Sequence, residues 1–282
     1  MTLSGSEQHY PRVLSIAGSD SGGGAGIQAD LKTFSALGCY GMTAITAITA
    51  QNTQGVRAIH GVPPDILAAQ IDAVVEDIGA DAVKIGMLHA PEVVRVVAQA
   101  IRRHGLHHVV LDPVMVATSG DRLIAEETVA VLVQELFPLA TVITPNLDEA
   151  ELLLGRRIDG VTALEPAAHA LLALGAQNVL LKGGHLQGDE VVDLLLQPGC
   201  APLRLASPRI ASRNVHGTGC TLSSAIAAHL ALGHALEDAV RRARSYILGA
   251  IAAGAEVRTG HGHGPLNHGY APVAMQVFNA AH

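Results

Sequence analysis

One loop of this sequence has the residue types and the spacing that suit the binding of a phosphoryl group. The loop is residues 214–221, NVHGTGCT, and it leads directly into an alanine-rich segment. If that segment is a helix, successive backbone N–H groups lie at its N-terminus and form a site for an anion. The loop therefore predicts an anion hole, made of Gly217, Thr218, Gly219 and Cys220, for a migrating phosphoryl group.

Cys220 is the reactive side chain of this loop. A helix N-terminus lowers the pKa of a thiol, and a thiolate in that position suits a group that takes a proton from a substrate hydroxyl. The alternative is that Cys220 is a small buried apolar residue, which is the usual role of a free cysteine. The residue and its position alone do not decide between these interpretations.

A second glycine-rich loop, residues 17–26 with the sequence AGSDSGGGAG, follows the first predicted strand and precedes a predicted helix. Glycines allow backbone to approach a ligand closely. The loop has no GxxxxGK[ST] lysine, and no acidic residue ends a second strand about twenty residues later, as a dinucleotide site requires. A nucleotide loop of either type is therefore disfavoured, and a tight turn without a ligand remains an alternative.

Lys182 is a third candidate, because it follows a predicted strand and precedes Gly183 and Gly184. The glycines let the chain turn away, which leaves the ammonium group directed into the crevice at the strand ends. A lysine there neutralises phosphate charge as a point cation. The alternative is a surface lysine whose stem covers apolar surface.

The elements that must position these loops alternate along the chain. Strand patterns precede helix patterns in four pairs: Arg12–Ala17 and Ala25–Leu37, Ala82–Ile85 and Pro91–His104, His107–Leu111 and Ala125–Phe137, Thr141–Thr144 and Leu147–Leu154. The later predicted elements are the helix Thr162–Leu174, the strands Asn178–Leu181 and Glu190–Leu196, and the helices Thr218–Leu232 and Leu236–Ala253. Crossover helices require parallel pairing, so the pattern predicts a parallel sheet in an α/β/α sandwich. Ligands bind beyond the carboxyl ends of such strands.

Composition limits the class of partner. The net charge is -7, with 18 Lys and Arg residues and an aromatic content of 2%. Binding of nucleic acid is not expected, because the chain has no basic stripe and few aromatic side chains for stacking on bases. A nucleotide would instead be held by helix N-termini, a bound cation and one or two lysines.

The chain of 282 residues is expected to form one domain over residues 12–282, after a flexible extension over residues 1–11. It has no charged leader followed by an apolar stretch and no uninterrupted apolar run long enough to span a membrane, so neither export nor membrane insertion is expected. Cys39, Cys200 and Cys220 are an odd number without a CxxC pair. This usage favours a reducing cytoplasm.

Eight strings carry a resemblance to a known family: Ala17–Asp30 (AGSDSGGGAGIQAD), Leu31–Leu37 (LKTFSAL), Thr49–Thr53 (TAQNT), Lys84–Leu88 (KIGML), Leu111–Met115 (LDPVM), Thr144–Glu149 (TPNLDE), Lys182–His185 (KGGH) and His216–Thr221 (HGTGCT). Together they resemble the hydroxymethylpyrimidine/phosphomethylpyrimidine kinases of the ribokinase-like superfamily. The resemblance covers Arg12 to Asn267. It implies a ribokinase-like three-layer α/β/α sandwich with a central, mostly parallel sheet.

Carried over position by position, the resemblance implies a pyrimidine pocket formed by Gly18, Asp30, Gln51, Met87, Val114 and Cys220. Gln51 has independent support, because a planar amide with one donor and one acceptor can read the edge of an aminopyrimidine. The alternative for Met87 and Val114 is that they are ordinary core residues. The alternative for Gln51 is a polar residue at a strand end that binds backbone.

The resemblance also implies ATP and Mg²⁺. It places the ATP phosphates at Asn146, Lys182, Thr218 and Gly219, and the catalytic groups at Cys220, Lys182, Gly217, Thr218 and Gly219. Glu149 is the implied Mg²⁺ residue, partly through water, and Asp112 is a second candidate; Mg²⁺ needs only one or two carboxylates in addition to phosphate. Asn146 and Glu149 also have the spacing of a capping pair, and both roles can hold at once.

The implied reaction transfers the γ-phosphoryl group of ATP to 4-amino-5-hydroxymethyl-2-methylpyrimidine, and then phosphorylates the monophosphate. The alternative on the same fold is a pyridoxal or pyridoxine kinase. A non-catalytic nucleotide- or vitamin-sensing module is the alternative from another class, but such a protein would be expected to lose the metal carboxylate, Lys182 or the Gly-Thr-Gly loop. The resemblance suggests a homodimer.

A histidine-rich stretch, residues 261–265 with the sequence HGHGP followed by His268, has no assigned role. Histidines in a glycine-rich loop, without a carboxylate or cysteine nearby, do not predict a zinc site. The family has a similar Gly-His-Gly-Pro stretch. We expect this one to close near the active site or to pack on the last helix.

Overall fold

The computed structural model describes residues 8–115 and 124–279. Its strands are β1 (Gln8–His9), β2 (Arg12–Ser19), β3 (Tyr40–Asn52), β4 (Gly55–Gly61), β5 (Ala82–Ile85), β6 (Val109–Leu111), β7 (Val142–Ile143), β8 (Val179–Leu181), β9 (Glu190–Leu196), β10 (Leu203–Pro208) and β11 (Phe278–Asn279). Its helices are α1 (Gly26–Ala36), α2 (Pro64–Asp77), α3 (Pro91–His104), α4 (Glu126–Leu136), α5 (Leu147–Leu154), α6 (Leu164–Ala173), α7 (Thr218–Ala231) and α8 (Leu236–Gly254), with short 3-10 helices at Phe137–Leu139 and Val161–Ala163.

A nine-stranded sheet forms the centre of the molecule, in the order β10-β9-β8-β7-β6-β5-β2-β3-β4. The strands from β8 to β3 in this order pair in parallel. The remaining pairs, β3 with β4, β8 with β9 and β9 with β10, are antiparallel. The predicted central, mostly parallel sheet is confirmed.

Helices cover both faces of this sheet. One apolar cluster packs α2, α3, α4 and α6 against one face and includes the fully buried Leu67. A second cluster packs α1, α7 and α8 against the other face and includes Ile226. Residues of β6 alternate between them, since Val109 and Leu111 belong to the first cluster and Val110 to the second. This alternation confirms the three-layer α/β/α arrangement.

Several elements differ from the sequence-based expectation. The strand predicted to begin at His107 begins at Val109, because His108 has a left-handed backbone (φ +53°) that interrupts the extended chain. Residues 1–7 of the predicted flexible extension lie outside the described residues, and Gln8–His9 forms β1, which pairs with β11. No helix in the described part of the chain is long and apolar enough to span a membrane.

Candidate active site

The carboxyl ends of the parallel strands open onto a cavity of about 630 Å³. Loops that follow β2, β5, β6, β7 and β8 line it, together with the N-terminus of α7. The predicted site residues on its wall are Gly18, Gln51, Met87, Asp112, Val114, Asn146, Glu149, Lys182, Gly217, Thr218, Gly219 and Cys220. One cavity therefore brings together the predicted residues, with the exception of Asp30.

Gly217 shapes the anion-hole loop immediately before α7. Its backbone is left-handed (φ +84°), and a Cβ atom at this position would overlap the carbonyl oxygen of Gly24. Both conditions favour glycine. A helical hydrogen bond runs from the N–H of Thr221 to the carbonyl oxygen of Gly217 (2.8 Å). The N–H groups of Gly219 and Cys220 precede that bond and point out of the helix end, which is the geometry that an anion hole needs.

Asp112 and Lys182 form an ion pair beside this helix end. The Nζ atom of Lys182 lies 2.8 Å from Asp112 Oδ1, and the lysine side chain is only 12% exposed, which excludes the surface-lysine alternative. The hydroxyls of Thr144 and Ser223 donate to the same carboxylate at 3.1 and 3.3 Å. Burial opposes ionisation of Asp112, but the charges of Lys182 and Lys84 outweigh it and lower its pKa. An ionised carboxylate and an ammonium group thus lie together at the end of α7.

Asn146 and Glu149 form the capping box that their spacing predicts. The Asn146 side chain accepts from the N–H of Glu149 (2.9 Å), and the Glu149 carboxylate accepts from the N–H of Asn146 (2.8 Å). Both residues also line the cavity, so capping does not exclude ligand binding. Burial raises the pKa of Glu149 to about 7, while attraction by Lys182 and repulsion by Asp112 oppose each other. This carboxyl group gains or loses its proton near neutral pH.

The raised pKa of Glu149 should appear in the pH dependence of stability. An ordinary glutamate loses its proton near pH 4.5, whereas folded Glu149 keeps its proton to about pH 7. Between these values the folded state binds more protons than the unfolded state, so this contribution to the free energy of unfolding falls as pH rises. Glu149→Gln should remove a fall of about 3 kcal/mol, measured by urea unfolding of both proteins without divalent cations. If the difference in unfolding free energy between the wild type and the variant is constant over this pH range, the raised pKa of Glu149 is contradicted.

Cys220 lies in the first turn of α7, partly exposed on the cavity wall. Burial raises the pKa of its thiol, and the nearby ammonium group of Lys84 only partly offsets that effect. The prediction that the pKa of this thiol is lowered is therefore wrong, because loss of hydration outweighs the attraction of Lys84. Cys220 is a neutral thiol at neutral pH, so it can accept a substrate proton only after its own proton has left.

Asp30 is the predicted pocket residue that the structure places elsewhere. It is fully buried and does not line the cavity. Its carboxylate accepts from Ser15 Oγ (2.6 Å), Ser224 Oγ (2.7 Å) and Lys84 Nζ (2.9 and 3.0 Å). Lys84 does line the cavity, so Asp30 supports a wall residue instead of forming the wall itself. A lysine within the apolar strand Ala82–Ile85 is the sequence signal that identifies this pair.

The buried Asp30–Lys84 pair yields a second stability prediction. Lys84→Met leaves the Asp30 carboxylate buried without its counter-charge and is expected to cost about 3–5 kcal/mol of unfolding free energy. Adding Asp30→Asn removes the negative charge and retains partners for Ser15 and Ser224, so the double variant should recover most of that loss. Urea denaturation measures both values. If Lys84→Met is as stable as the wild type, the Asp30 carboxylate does not depend on its counter-charge, which would mean that water reaches it in the folded protein.

Asp20 and His216 are cavity residues outside the predicted set. The Asp20 carboxylate accepts from the N–H groups of Gly22 (2.8 Å), Gly24 (3.0 Å) and Ala25 (2.8 Å). Its Oδ2 atom also lies 2.9 Å from His216 Nε2. Asp20 therefore shapes the first glycine-rich loop and joins it to the anion-hole loop. An aspartate just before a run of glycines is a turn signal that identifies such a residue from sequence.

One end of the cavity combines an amide with apolar groups. Gln51 lies near the end of β3, where the pairing register with β4 shifts, and its amide oxygen is 3.3 Å from the Thr49 hydroxyl. Gly18 lies against Met87, since a Cβ atom at Gly18 would be 2.7 Å from Met87 Cε. Val114 also lines the cavity, so Met87 and Val114 are not purely core residues.

Another part of the wall comes from β10, its following loop and helices α7 and α8, which the sequence did not predict to contribute. Its apolar members are Pro208, Ile210, Val215, Leu222, Ile247, Leu248 and Ile251. A buried ion pair between Arg244 and Asp193 (2.9 Å) lies on the same wall. Because β10 and β4 are the two edges of the sheet, this apolar end and the Gln51 end lie on opposite sides of the anion hole.

Comparison with known proteins identifies the family of this site. A family model described as phosphomethylpyrimidine kinase matches residues 20–267. The chain belongs to this family. The matched span includes the anion-hole loop, Lys182, Asp112 and Glu149, and the ribokinase-like fold that the sequence resemblance implied is confirmed.

Individual relatives are similar over most of the chain. The hydroxymethylpyrimidine/phosphomethylpyrimidine kinase of Rhizobium meliloti (strain 1021) is 56% identical over 257 residues, which are 91% of this chain and 96% of the relative. The thiamine biosynthesis bifunctional protein ThiED of Geobacter sulfurreducens is 53% identical over 92% of this chain, and the chain spans 53% of that protein's length. An ADP complex of Bacillus subtilis pyridoxal kinase is 38% identical with a TM-score of 0.85, covering 93% of this chain and 98% of that structure.

Proposed function

We propose that this chain transfers the γ-phosphoryl group of ATP to the hydroxymethyl group of 4-amino-5-hydroxymethyl-2-methylpyrimidine, and then phosphorylates the resulting monophosphate. The observation that carries the proposal is the layout of the cavity. An amide-bearing end at Gln51 and an apolar end at β10 and α8 flank the anion hole at Gly217–Cys220. Names of relatives such as the Rhizobium meliloti kinase support the same substrates.

The acceptor ring is recognised at the Gln51 end. The Gln51 amide can donate to a ring nitrogen and accept from the exocyclic amine in one plane. Met87 and Val114 supply apolar contacts for the ring faces, and glycine at position 18 lets the Met87 side chain pack directly against the backbone there. This arrangement directs the hydroxymethyl group towards Cys220 and the N-terminus of α7.

The nucleotide is held at the apolar end. Ile247, Leu248 and Ile251 provide an apolar surface for the adenine ring, and no Phe, Tyr or Trp lines the cavity in the described part of the chain. The related pyridoxal kinase of Bacillus subtilis has been solved with ADP, which supports a nucleotide in this cavity. The phosphates then extend towards Asn146, Lys182 and Thr218.

The phosphoryl group is stabilised by charge at the centre of the cavity. Its transfer passes through a loose transition state, so positioning and electrostatic stabilisation are the main tasks of the protein. The N–H groups of Gly219 and Cys220 and the ammonium group of Lys182 converge on one region. We propose that Cys220 first releases its thiol proton to solvent, and that the resulting thiolate takes the hydroxymethyl proton in the first transfer. The second acceptor is an ionised phosphate, which needs no base.

Asp112 and Glu149 would hold Mg²⁺, partly through water. The donor set fits, because both are buried carboxylates on the cavity wall and Mg²⁺ prefers oxygen ligands with retained water. When bound, Mg²⁺ neutralises charge on the phosphates. The Glu149 carboxyl group must lose its proton to bind the cation, so its raised pKa predicts weaker Mg²⁺ binding below neutral pH.

A coupled ADP-release assay with Mg²⁺ and ATP tests the proposal, with hydroxymethylpyrimidine, its monophosphate and pyridoxal offered in parallel. Pyridoxal is the second candidate because of the likeness to the pyridoxal kinase structure, although that protein is less identical than the curated pyrimidine kinases (38% against 56%). We expect both pyrimidines to be phosphorylated faster than pyridoxal. A faster pyridoxal reaction would contradict the substrate assignment and leave the kinase assignment intact.

The Gln51 assignment has its own test. Gln51→Leu removes both hydrogen-bonding groups at nearly constant size, and we expect it to raise KM for the pyrimidine about 10–100-fold, with a much smaller effect on KM for ATP. Equal effects on the two KM values would contradict recognition by the amide.

We also propose a homodimer, which light scattering of the purified protein tests.

A further inference from the structure

The histidine-rich stretch near the end of the chain has no part in the reaction described above, yet it touches the cavity wall at several points. We call residues 260–268 the C-terminal segment. It contacts the turn that follows β3, the anion-hole loop and helix α7. The first of these parts adjoins Gln51 and the other two carry the anion hole, so one short piece of chain spans both substrate sites.

The contact with the turn after β3 is made by backbone. The N–H of His263 donates to the carbonyl oxygen of Thr53 (2.9 Å), and the N–H of Gly262 donates to the Thr53 hydroxyl (3.2 Å). A Cβ atom at Gly262 would overlap the Thr53 carbonyl group, and one at Gly260 would overlap the Thr53 side chain. Thr53 is two residues beyond Gln51, so this contact lies beside the Gln51 end of the cavity.

The contact with the anion-hole loop is equally close. The N–H of His216 donates to the carbonyl oxygen of Gly264 (3.1 Å), and His216 forms a parallel bridge with Pro265. A Cβ atom at Gly264 would overlap the Asn214 side chain. The Asn214 amide in turn donates to the carbonyl oxygen of Gly254 (2.6 Å) at the end of α8. His216, the residue immediately before Gly217, is therefore hydrogen-bonded to the C-terminal segment.

The contact with α7 is made by a buried side chain. His268 is 5% exposed, and its Nε2 atom lies 3.0 Å from the hydroxyl oxygen of Thr221, the residue after Cys220. Tyr246 donates its hydroxyl proton to the His268 carbonyl group. Burial lowers the pKa of His268 to about 4, so the ring is neutral and its Nε2 atom can accept a hydrogen bond from the Thr221 hydroxyl. The His268 side chain thus connects the first turn of α7 to the C-terminal segment.

We propose that the C-terminal segment positions the anion hole relative to the acceptor pocket, with the backbone of residues 262–264 and the His268 ring as positioning groups. This inference rests on the proposed kinase function. The segment binds the turn beside Gln51 and the loop that ends in Gly217, so it sets the distance between the acceptor oxygen and the phosphoryl group. Misplacement of reacting groups by about 1 Å can lower a transfer rate on the order of 100-fold.

The test compares Gly262→Ala with Gly269→Ala. A Cβ atom at Gly262 overlaps Thr53, whereas one at Gly269 meets no atom within 4 Å, so the second variant is a matched control in the same stretch. We expect Gly262→Ala to lower the single-turnover transfer rate about 10–100-fold, while the Kd of each substrate measured alone changes less than about 3-fold. The assay uses whichever of the two pyrimidines and pyridoxal the wild type phosphorylates, so a wrong substrate assignment does not affect the outcome.

Hydrogen exchange supplies a readout that does not depend on activity. Gly262→Ala should speed amide exchange at residues 216–221, and Gly269→Ala should not. Thr53→Val removes the hydroxyl that accepts from the Gly262 N–H and introduces no steric overlap. It should also speed exchange at residues 216–221, but by less than Gly262→Ala, and so provides a second test if Gly262→Ala does not fold. His268→Leu should also lower the transfer rate, and His268→Gln, which restores an acceptor for Thr221, should recover part of it.

Two outcomes would overturn the inference. In the first, Gly262→Ala and His268→Leu transfer the phosphoryl group as fast as Gly269→Ala. In the second, weaker binding of the separate substrates accounts for the whole loss of rate, which would indicate damage to the individual pockets and not to their relative position.

Discussion

Lys182→Met is expected to lower kcat for both phosphoryl transfers about 100–1000-fold, because it removes the cation nearest the anion hole. Its Nζ atom lies 2.8 Å from Asp112 Oδ1, and a Cβ atom at Gly219 would be 3.2 Å from it. The ammonium group therefore lies directly against the first turn of α7, which is where the proposed function requires the migrating phosphoryl group to be stabilised. Rapid-quench measurements of a single turnover, with the pyrimidine Kd from calorimetry, test the prediction.

Controls separate loss of the cation from loss of the fold. Lys182→Met leaves the buried Asp112 carboxylate without its nearest counter-charge, so the variant Lys182→Met/Asp112→Asn tests whether neutralising that position restores stability without restoring activity. Lys182→Arg keeps the charge and should retain part of the rate. Arg156→Met removes an exposed positive charge and should have no effect. Lys182→Met with wild-type kcat would show that Lys182 does not stabilise the transferred group.

Cys220→Ala is expected to affect the two phosphorylations unequally. The first acceptor is a neutral hydroxyl that must lose a proton, and general-base catalysis contributes about 100–10,000-fold to such steps. The second acceptor is a phosphate that is already ionised. We therefore expect the first transfer to fall about 100-fold or more and the second to change by less than about 5-fold.

The unequal response is measured by single turnovers with each pyrimidine as the only acceptor. Cys220→Ser provides a matched control, since it keeps a small polar group but not the acidity of a thiol. The two background cysteines, Cys39 and Cys200, lie outside the cavity and can remain. Equal losses in both half-reactions would contradict a role as base and would indicate that the side chain only packs against the substrate.

The parts of the fold that could be predicted from sequence are those with local signals. The helices Pro91–His104 and Leu147–Leu154 have the predicted bounds, because proline at the first turn, a capping pair and a following glycine mark them. The long strand β3 and its partner β4 carry no comparable signal. Buried residues of β3 are interrupted by more exposed ones and β4 has no buried residue, so neither strand has the continuous apolar run of a strand covered on both faces.

The candidate site divides in the same way. The anion-hole loop and Lys182 stand out because glycines and an isolated cation after a strand are local patterns. The apolar nucleotide end could not be predicted, since its apolar side chains on α8 look like any buried helix face until the structure places them on a cavity. Asp30 illustrates a different limit. The family resemblance assigns Asp30 to the pyrimidine pocket. Whether its carboxylate faces the ligand or Lys84, however, depends on the packing of Ser15 and Ser224.

The interlocking of the two glycine-rich loops has a consequence for protein synthesis. Asp20 and His216, which join these loops, are 196 residues apart in the chain. At about 5–20 residues per second, a ribosome makes the first loop on the order of 10–40 s before the second. A nascent chain therefore contains the first loop long before it contains the anion-hole loop. The two loops can join only after the residues around His216 have left the ribosome, so this part of the site is incomplete in any shorter chain.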